Sequence, residues 1–365
     1  DFKGNSQQFV FNDLTATLGE SHIAGMLDVS LTGKKPIIKL TAKSNYIDIR
    51  PFVALTDSDA EADAATSGEH LIPAKPLPLA AMAAVDMTIR LDIVELKHQQ
   101  DSIRNLALDV ALQAGKLTVE QLSFDGPRGK LRSSFSIHPT GNNVAEVSMD
   151  LNAEEFILNL TGQAKDKLHQ VPTLDIHIHA NGQGGNWQQV AGSLNGSIYL
   201  GTRGGILEGV NLSILDTTFI LNQIFSLIMP KADAKHDLVV TCAATVLKIT
   251  DGLLETDPAL VFSTNRISMT SKGRLDLKTE ILNFNFNATP NKALQISADE
   301  FLNPYILVSG TLSEPVVGLD PAKVVLHGGA AIGTAGLSIL AKGLLDRLSN
   351  TVSSCEKMLD QITKQ

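Results

Sequence analysis

The sequence predicts a mainly β protein built on an elongated antiparallel sheet with one apolar face, a few short helices and a C-terminal helix. Alternation is the first observation. Leu174, Ile176, Ile178 and Ala180 alternate with Asp175, His177 and His179, and Val147, Met149 and Leu151 with Glu146, Ser148 and Asp150. Ile267, Met269 and Leu275 stand likewise against Ser268, Thr270, Lys272 and Arg274. A period of two places apolar side chains on one side of a strand. The second observation is the supply of closely spaced turn signals, which imply hairpins. The third is the scarcity of helix-period segments between them.

The elements follow in order. Residues 9–49 hold several strand-like runs, with turns at Gly19-Glu20 and at Gly33-Lys34-Lys35-Pro36. The stretch 55–85 is rich in Ala, Asp, Ser and Pro, carries Asp57, Asp59, Glu61 and Asp63, and reads as a flexible linker or loop. Strands resume at Asp86 and run to Asn152, with turns near His98–Ser102 and at Ala114-Gly115-Lys116, Asp125-Gly126-Pro127 and Pro139-Thr140-Gly141. A short helix is expected around Ala153–Leu160, a strand at Thr173–Ala180, a helical turn at Trp187–Ala191 and a return to the sheet at Gly196–Leu200.

Leu212, Leu215, Phe219, Ile220, Ile224, Leu227 and Ile228 have helical spacing and stop at Pro230, so a buried helix is expected over 212–229. Strands are expected at about 237–250, 253–263, 267–277, 281–288 and 305–312, with Asp251-Gly252 as a type I′ hairpin signal. In the tail, Leu337, Leu340, Leu344 and Leu348 mark a helical stripe, weakened at its start by Gly328, Gly329, Gly333 and Gly336. The expected organisation is an N-terminal β-repeat over 1–54, the linker over 55–85, a main sheet over 86–320 and a helical tail over 321–365.

Composition excludes several functions. The chain of 365 residues has 43% hydrophobic, 19% charged and 5% aromatic residues, as an ordered protein with a mainly aliphatic interior should. A net charge of -9 offers no basic field for neutralising phosphates, so no nucleic-acid partner is expected. No apolar run is long and clean enough to span a membrane, since 212–229 contains Asp216, Asn222 and Gln223. The chain opens at Asp1 without a signal peptide, and the reading expects a processed or excised piece with any anchor upstream.

Chemistry-bearing motifs are sparse. His177 and His179 project from one face of a strand, but spacing fixes no third ligand, so no metal is expected. GxSxG, HExxH and Walker patterns are missing, and Gly328–Thr334 lacks a phosphate-holding Lys. The carboxylate pairs Glu154-Glu155 and Asp299-Glu300 read as helix-start or turn residues. The reading is therefore of a protein that is not an enzyme and has no cofactor. Cys242 and Cys355 are either buried thiols or one long-range disulfide.

The apolar strand positions line either an ordinary sandwich core or a trough open to a ligand. They are Val147, Met149, Leu151, Leu174, Ile176, Ile178, Ile267, Met269, Leu282, Phe284 and Phe286.

Three stretches carry a family resemblance. The first runs through Asp13-Leu14, Leu18-Gly19-Glu20-Ser21, Gly25–Leu31, Pro36–Ser44 and Ile47-Asp48-Ile49. The second is Gly192–Gly196 with Gly204–Val210. The third comprises Cys242, Asp251-Gly252, Thr270–Leu277 around Gly273, Val308–Leu312 with Pro315, and Cys355. Together they resemble the C-terminal region of the AsmA-like family of Gram-negative envelope proteins, relatives of TamB-type bridge-like lipid transfer proteins.

The resemblance implies a curved, taco-like sheet of repeating β-groove units, periplasmic and tethered to the inner membrane by a helix upstream of this chain. It implies phospholipid as the ligand, conducted between inner and outer membranes, and favours the trough. It also favours a Cys242–Cys355 disulfide through the compartment it suggests. The alternative function is a structural or assembly module that supports envelope biogenesis through protein contacts.

Overall fold

The computed structural model describes residues 2–5, 7–49, 70–98, 101–141, 143–157, 171–207, 238–256, 260–265, 267–290, 305–319, 355 and 359. The chain is mainly β and divides into two compact units, Asp1–Phe156 with His177–Gly196, and Ile157–Ile176 with Ser197–Gln365. The helix expected over 212–229, the tail stripe 337–348 and linker residues 55–69 lie outside the described residues.

In the first unit, β1 (Phe2–Asn5), β2 (Gln8–Leu18), β3 (Ser21–Ser30) and β4 (Ile37–Asp48) form an antiparallel meander. β5 (Asp86–His98) then lies parallel to β4, with Ile37 opposite Asp86. A second antiparallel meander follows through β6 (Asp101–Gln113), β7 (Lys116–Asp125), β8 (Lys130–Gly141) and β9 (Val144–Phe156). Of β10 (Leu174–Gly184), residues 177–184 belong to this unit. Turn chemistry explains the joints. Ala114 and Gly115 have φ of 53° and 78°, the left-handed pair that a two-residue hairpin needs.

The parallel β4–β5 pair cannot be closed by a hairpin; it requires a crossover. That crossover is the Ala/Pro-rich stretch. Its described part, 70–85, contains α1 (Leu79–Ala83) and sets Leu77 and Met82, each 6% exposed, into a core. A reading from composition alone sees only a linker, because Ala and Pro hide two apolar anchors among small residues.

The helix expected around 153–160 is corrected over its described part: β9 stays extended to Phe156. Pairing decides against local propensity. Leu131 faces Ala153, Lys130 faces Glu154, and the Phe156 ring meets Phe124 edge-on at 6.0 Å. Glu155, at φ 48°, breaks the alternation there instead of starting a helix. The helical turn at 187–191 is present as α2 (Trp187–Gly192), capped by the Asn186 side chain, which accepts from the Gln189 N–H.

In the second unit, β11 (Asn195–Thr202) and β12 (Gly205–Leu207) pair with β13 (Leu238–Thr250). The expected strand over 253–263 is divided into β14 (Leu253–Thr256) and β15 (Leu260–Thr264), both paired with β13 and β16 (Ile267–Asp276). β17 (Ile281–Pro290), β18 (Tyr305–Thr311) and β19 (Pro315–Leu319) complete an antiparallel run. Asp251 and Gly252 have φ of 48° and 78°, as the type I′ signal requires.

One face of β13 and β15 is closed by the chain's own tail. A disulfide joins Cys242 to Cys355, with Cα atoms 6.4 Å apart, and Leu359 packs with Tyr199, Ala244 and Val261.

Candidate functional site: the apolar face of the first unit

Strand register aligns apolar residues into rows that cross the first unit. One row runs Phe9, Val29, Ile38, Met87, Leu112, Leu117, Ile137, Val147. The next runs Phe11, Leu27, Leu40, Ile89, Val110, Val119, Phe135, Met149. A third runs Leu14, Gly25, Ala42, Leu91, Leu108, Leu122, Ser133, Leu151. Directly paired residues share a face, so these rows make one continuous hydrocarbon surface. With strands about 4.8 Å apart, each row is roughly 33 Å long, about the thickness of a bilayer's hydrocarbon core.

Bulges keep the rows in phase. Register slips between Phe11 and Leu14, between Val119 and Leu122 and between Arg104 and Ala107, each where a strand would otherwise turn apolar residues outward. Gly25 is required by packing, because a Cβ there would run into the carbonyl of Thr41 and the Cα of Ala42.

The opposite face is charged and pairs its charges. Arg90 Nη2 lies 2.7 Å from Asp109 Oδ2, Lys43 Nζ lies 3.5 Å from Asp92 Oδ2, and His179 Nδ1 meets Asp150 Oδ1 at 2.5 Å. His138 sits on this face opposite Glu146. Desolvation and the nearby Lys116 charge hold its imidazole below the usual value, against the pull of Glu146.

Closure of the rows is uneven. The first is buried at Leu112, Ile137 and Val147, where Leu77, Met82 and Val190 pack on it with Trp187 and Leu194 alongside, and is partly buried at Leu117 between them. The second is only partly buried at all of its positions. In the third row only Ala42 is buried.

The expected lining residues are divided by this arrangement. Val147, Met149 and Leu151 stand at the ends of the three rows, Val147 buried and the other two partly buried. Ile178 is partly buried on β10, as are Leu174 and Ile176, which belong to the second unit. Ile267, Met269 and Leu282 lie in a packed cluster with Ala288, Ile306 and Val308, and Phe284 and Phe286 pack against it. The six residues of that cluster are 0–6% exposed.

Most of the partly buried row, including Leu40, Ile89, Val110 and Val119, is not among the lining residues expected from sequence. Its signal was present as alternation, but only register between strands shows that the alternations add up. Among the described residues no group of three or more His, Cys, Asp or Glu side chains converges as a metal site.

A profile of the AsmA family matches residues 54–259, more than half of the chain. The chain belongs to the AsmA family. The match runs from the β4–β5 crossover through β14 and so includes β5–β9 of the apolar face. No curated protein and no solved structure matches the chain. Among the described residues of this AsmA-family chain, no helix is long and apolar enough to cross a membrane, which says nothing of membrane crossing by strands.

Proposed function

We propose that this AsmA-family chain is a non-enzymatic envelope protein that binds phospholipid acyl chains along the apolar rows of its first unit and conducts them between inner and outer membranes. The observation that carries the reading is the second row, whose positions from Phe11 to Met149 remain only partly buried. A folded sheet gains stability by covering such a face. An acyl chain covers it with matching chemistry at about 0.8 kcal/mol per buried methylene, and the similar cost of leaving a bilayer keeps the exchange reversible. Family membership supports an envelope setting. On this reading the protein is periplasmic and held at the inner membrane by an anchor upstream of the chain.

A photo-crosslinking amino acid at Val119, on the second row, is expected to label phospholipid in membranes, whereas one at Thr41, on the charged face, is not. Protein adducts alone at Val119 would remove the lipid reading. A second reading, a module that assembles with other envelope proteins, is favoured by β19. Val316 and Leu319 on this strand are 61% and 43% exposed, apolar side chains that a partner protein would cover.

A further inference from the structure

We propose that residues 75–83 are a displaceable lid, and that an incoming acyl chain competes with them for the margin of the apolar face. The inference rests on the acyl-chain reading above. It begins from a contrast within one row. Leu112, Ile137 and Val147 are buried in one cluster with Leu77, Met82 and Val190, and Met87 and Leu117 pack against it, whereas Phe9, Val29 and Ile38, farther along the same row, are partly buried outside that cluster. The segment thus covers hydrocarbon with hydrocarbon, side chain standing where a ligand's methylenes would otherwise lie.

Its pairing to the strand-to-helix corner at 185–187 is a single bridge. Pro76 pairs with Asn186, flanked by the Leu77 N–H donating to the Gly185 carbonyl at 2.9 Å and the Trp187 N–H donating to the Lys75 carbonyl at 3.4 Å. α1 has five residues, and its N-cap position, Pro78, supplies no side-chain hydrogen bond. A helix that short does not hold itself in water. Leu77 and Met82, with Leu79 beside them, hold it by apolar contact of the kind an acyl chain reproduces. Elements with few hydrogen bonds and a small buried contact are the first to open. Two occupants of one surface exclude each other, so closing the lid lowers affinity for the ligand and ligand raises the open population by the same factor.

The pair Pro76–Asn186 provides the test. It is the non-hydrogen-bonded kind, with Cα atoms about 4.5 Å apart, within reach of a disulfide. The full chain carrying Pro76→Cys and Asn186→Cys, oxidised, is compared with each single variant without reductant, so that Cys242–Cys355 stays intact. The probe is the fluorescent fatty acid cis-parinaric acid.

Locking is expected to weaken binding about tenfold relative to both single variants. Leu77→Ser with Met82→Ser, which loosens the lid, is expected to strengthen it several-fold. Equal affinity in locked and single variants, tighter binding when locked, or weaker binding in the loosened variant would each overturn the lid. A parent chain that binds no probe overturns the acyl-chain reading and the lid with it, whereas a parent that binds while locking changes nothing removes the lid alone.

Discussion

At the scale of single residues, Tyr199 shows how the second unit uses burial. Desolvation, with Asp175 adding to it and Arg203 opposing, pushes its phenol up to about 12. The neutral form is favoured in the folded state, so this contribution is intact below pH 10 and is lost as pH rises from there towards 12. Ultraviolet titration is expected to show a phenol ionising near pH 12, and Tyr199→Phe should remove that step.

Gly201 belongs to the same contact. A Cβ on it would strike Tyr199 Oη and come within 2.7 Å of Leu359 Cδ2. Gly201→Ala is therefore expected to lower the melting temperature by several degrees, and an unchanged melt would mean that Leu359 gives way freely.

Asp86 is a residue of the other sign. The hydrogen bond from Lys35, at 2.7 Å, and one from the Ala114 N–H, at 2.8 Å, hold its carboxyl below the usual value. Its contribution is present above the unfolded value of 3.8 and fades as pH falls below it. Asp86→Asn should thus melt lower than the parent at neutral pH, and the two curves should converge in acid.

At the scale of elements, the tail segment bearing Cys355 and Leu359 is tied to β13 across 113 residues of sequence. A loop of that size restricts the unfolded chain by about 4–5 kcal/mol in the chain-entropy account. The Cys242→Ala, Cys355→Ala double variant is expected to unfold at lower denaturant by that order, and a shift of under about 1 kcal/mol would show that packing of Leu359 does the holding.

The elements also show what alternation reveals and what it hides. The strands, the type I′ turn at Asp251-Gly252 and the α2 turn were legible because they depend on neighbours in sequence. Residues 153–156 were not, since Ala153 and Phe156 are fixed by Leu131 and Phe124 on other strands. Nor was the partial closure over Met87–Val147, because Leu77 and Met82 look like stray apolar residues until the crossover brings them back over the face.

At the scale of the whole molecule, the class of fold was legible, whereas which alternating strands share a row was not, because register joins residues far apart in sequence. On β17 the same alternation places Leu282 in a buried cluster with Ile306, while Phe284 and Phe286 are partly buried beside it. Val110 and Val119 are partly buried, on the row next to the one that Leu77 and Met82 cover. Native mass spectrometry of the purified full chain is expected to find phospholipid retained, and to find less of it when Val110 and Val119 are both replaced by Asp. Retention unchanged by that replacement would place the lipid elsewhere.

The crossover has one more effect. Because β5 starts beside the start of β4, the chain re-enters its sheet at the margin from which β4 set out, pointing the same way. A meander plus its return segment is therefore a closed construction cycle: copying it would lengthen the hydrocarbon track by whole steps while leaving inward and outward parity untouched. Span can thus be adjusted by duplication or loss of complete cycles, with no compensating change in the strands that remain.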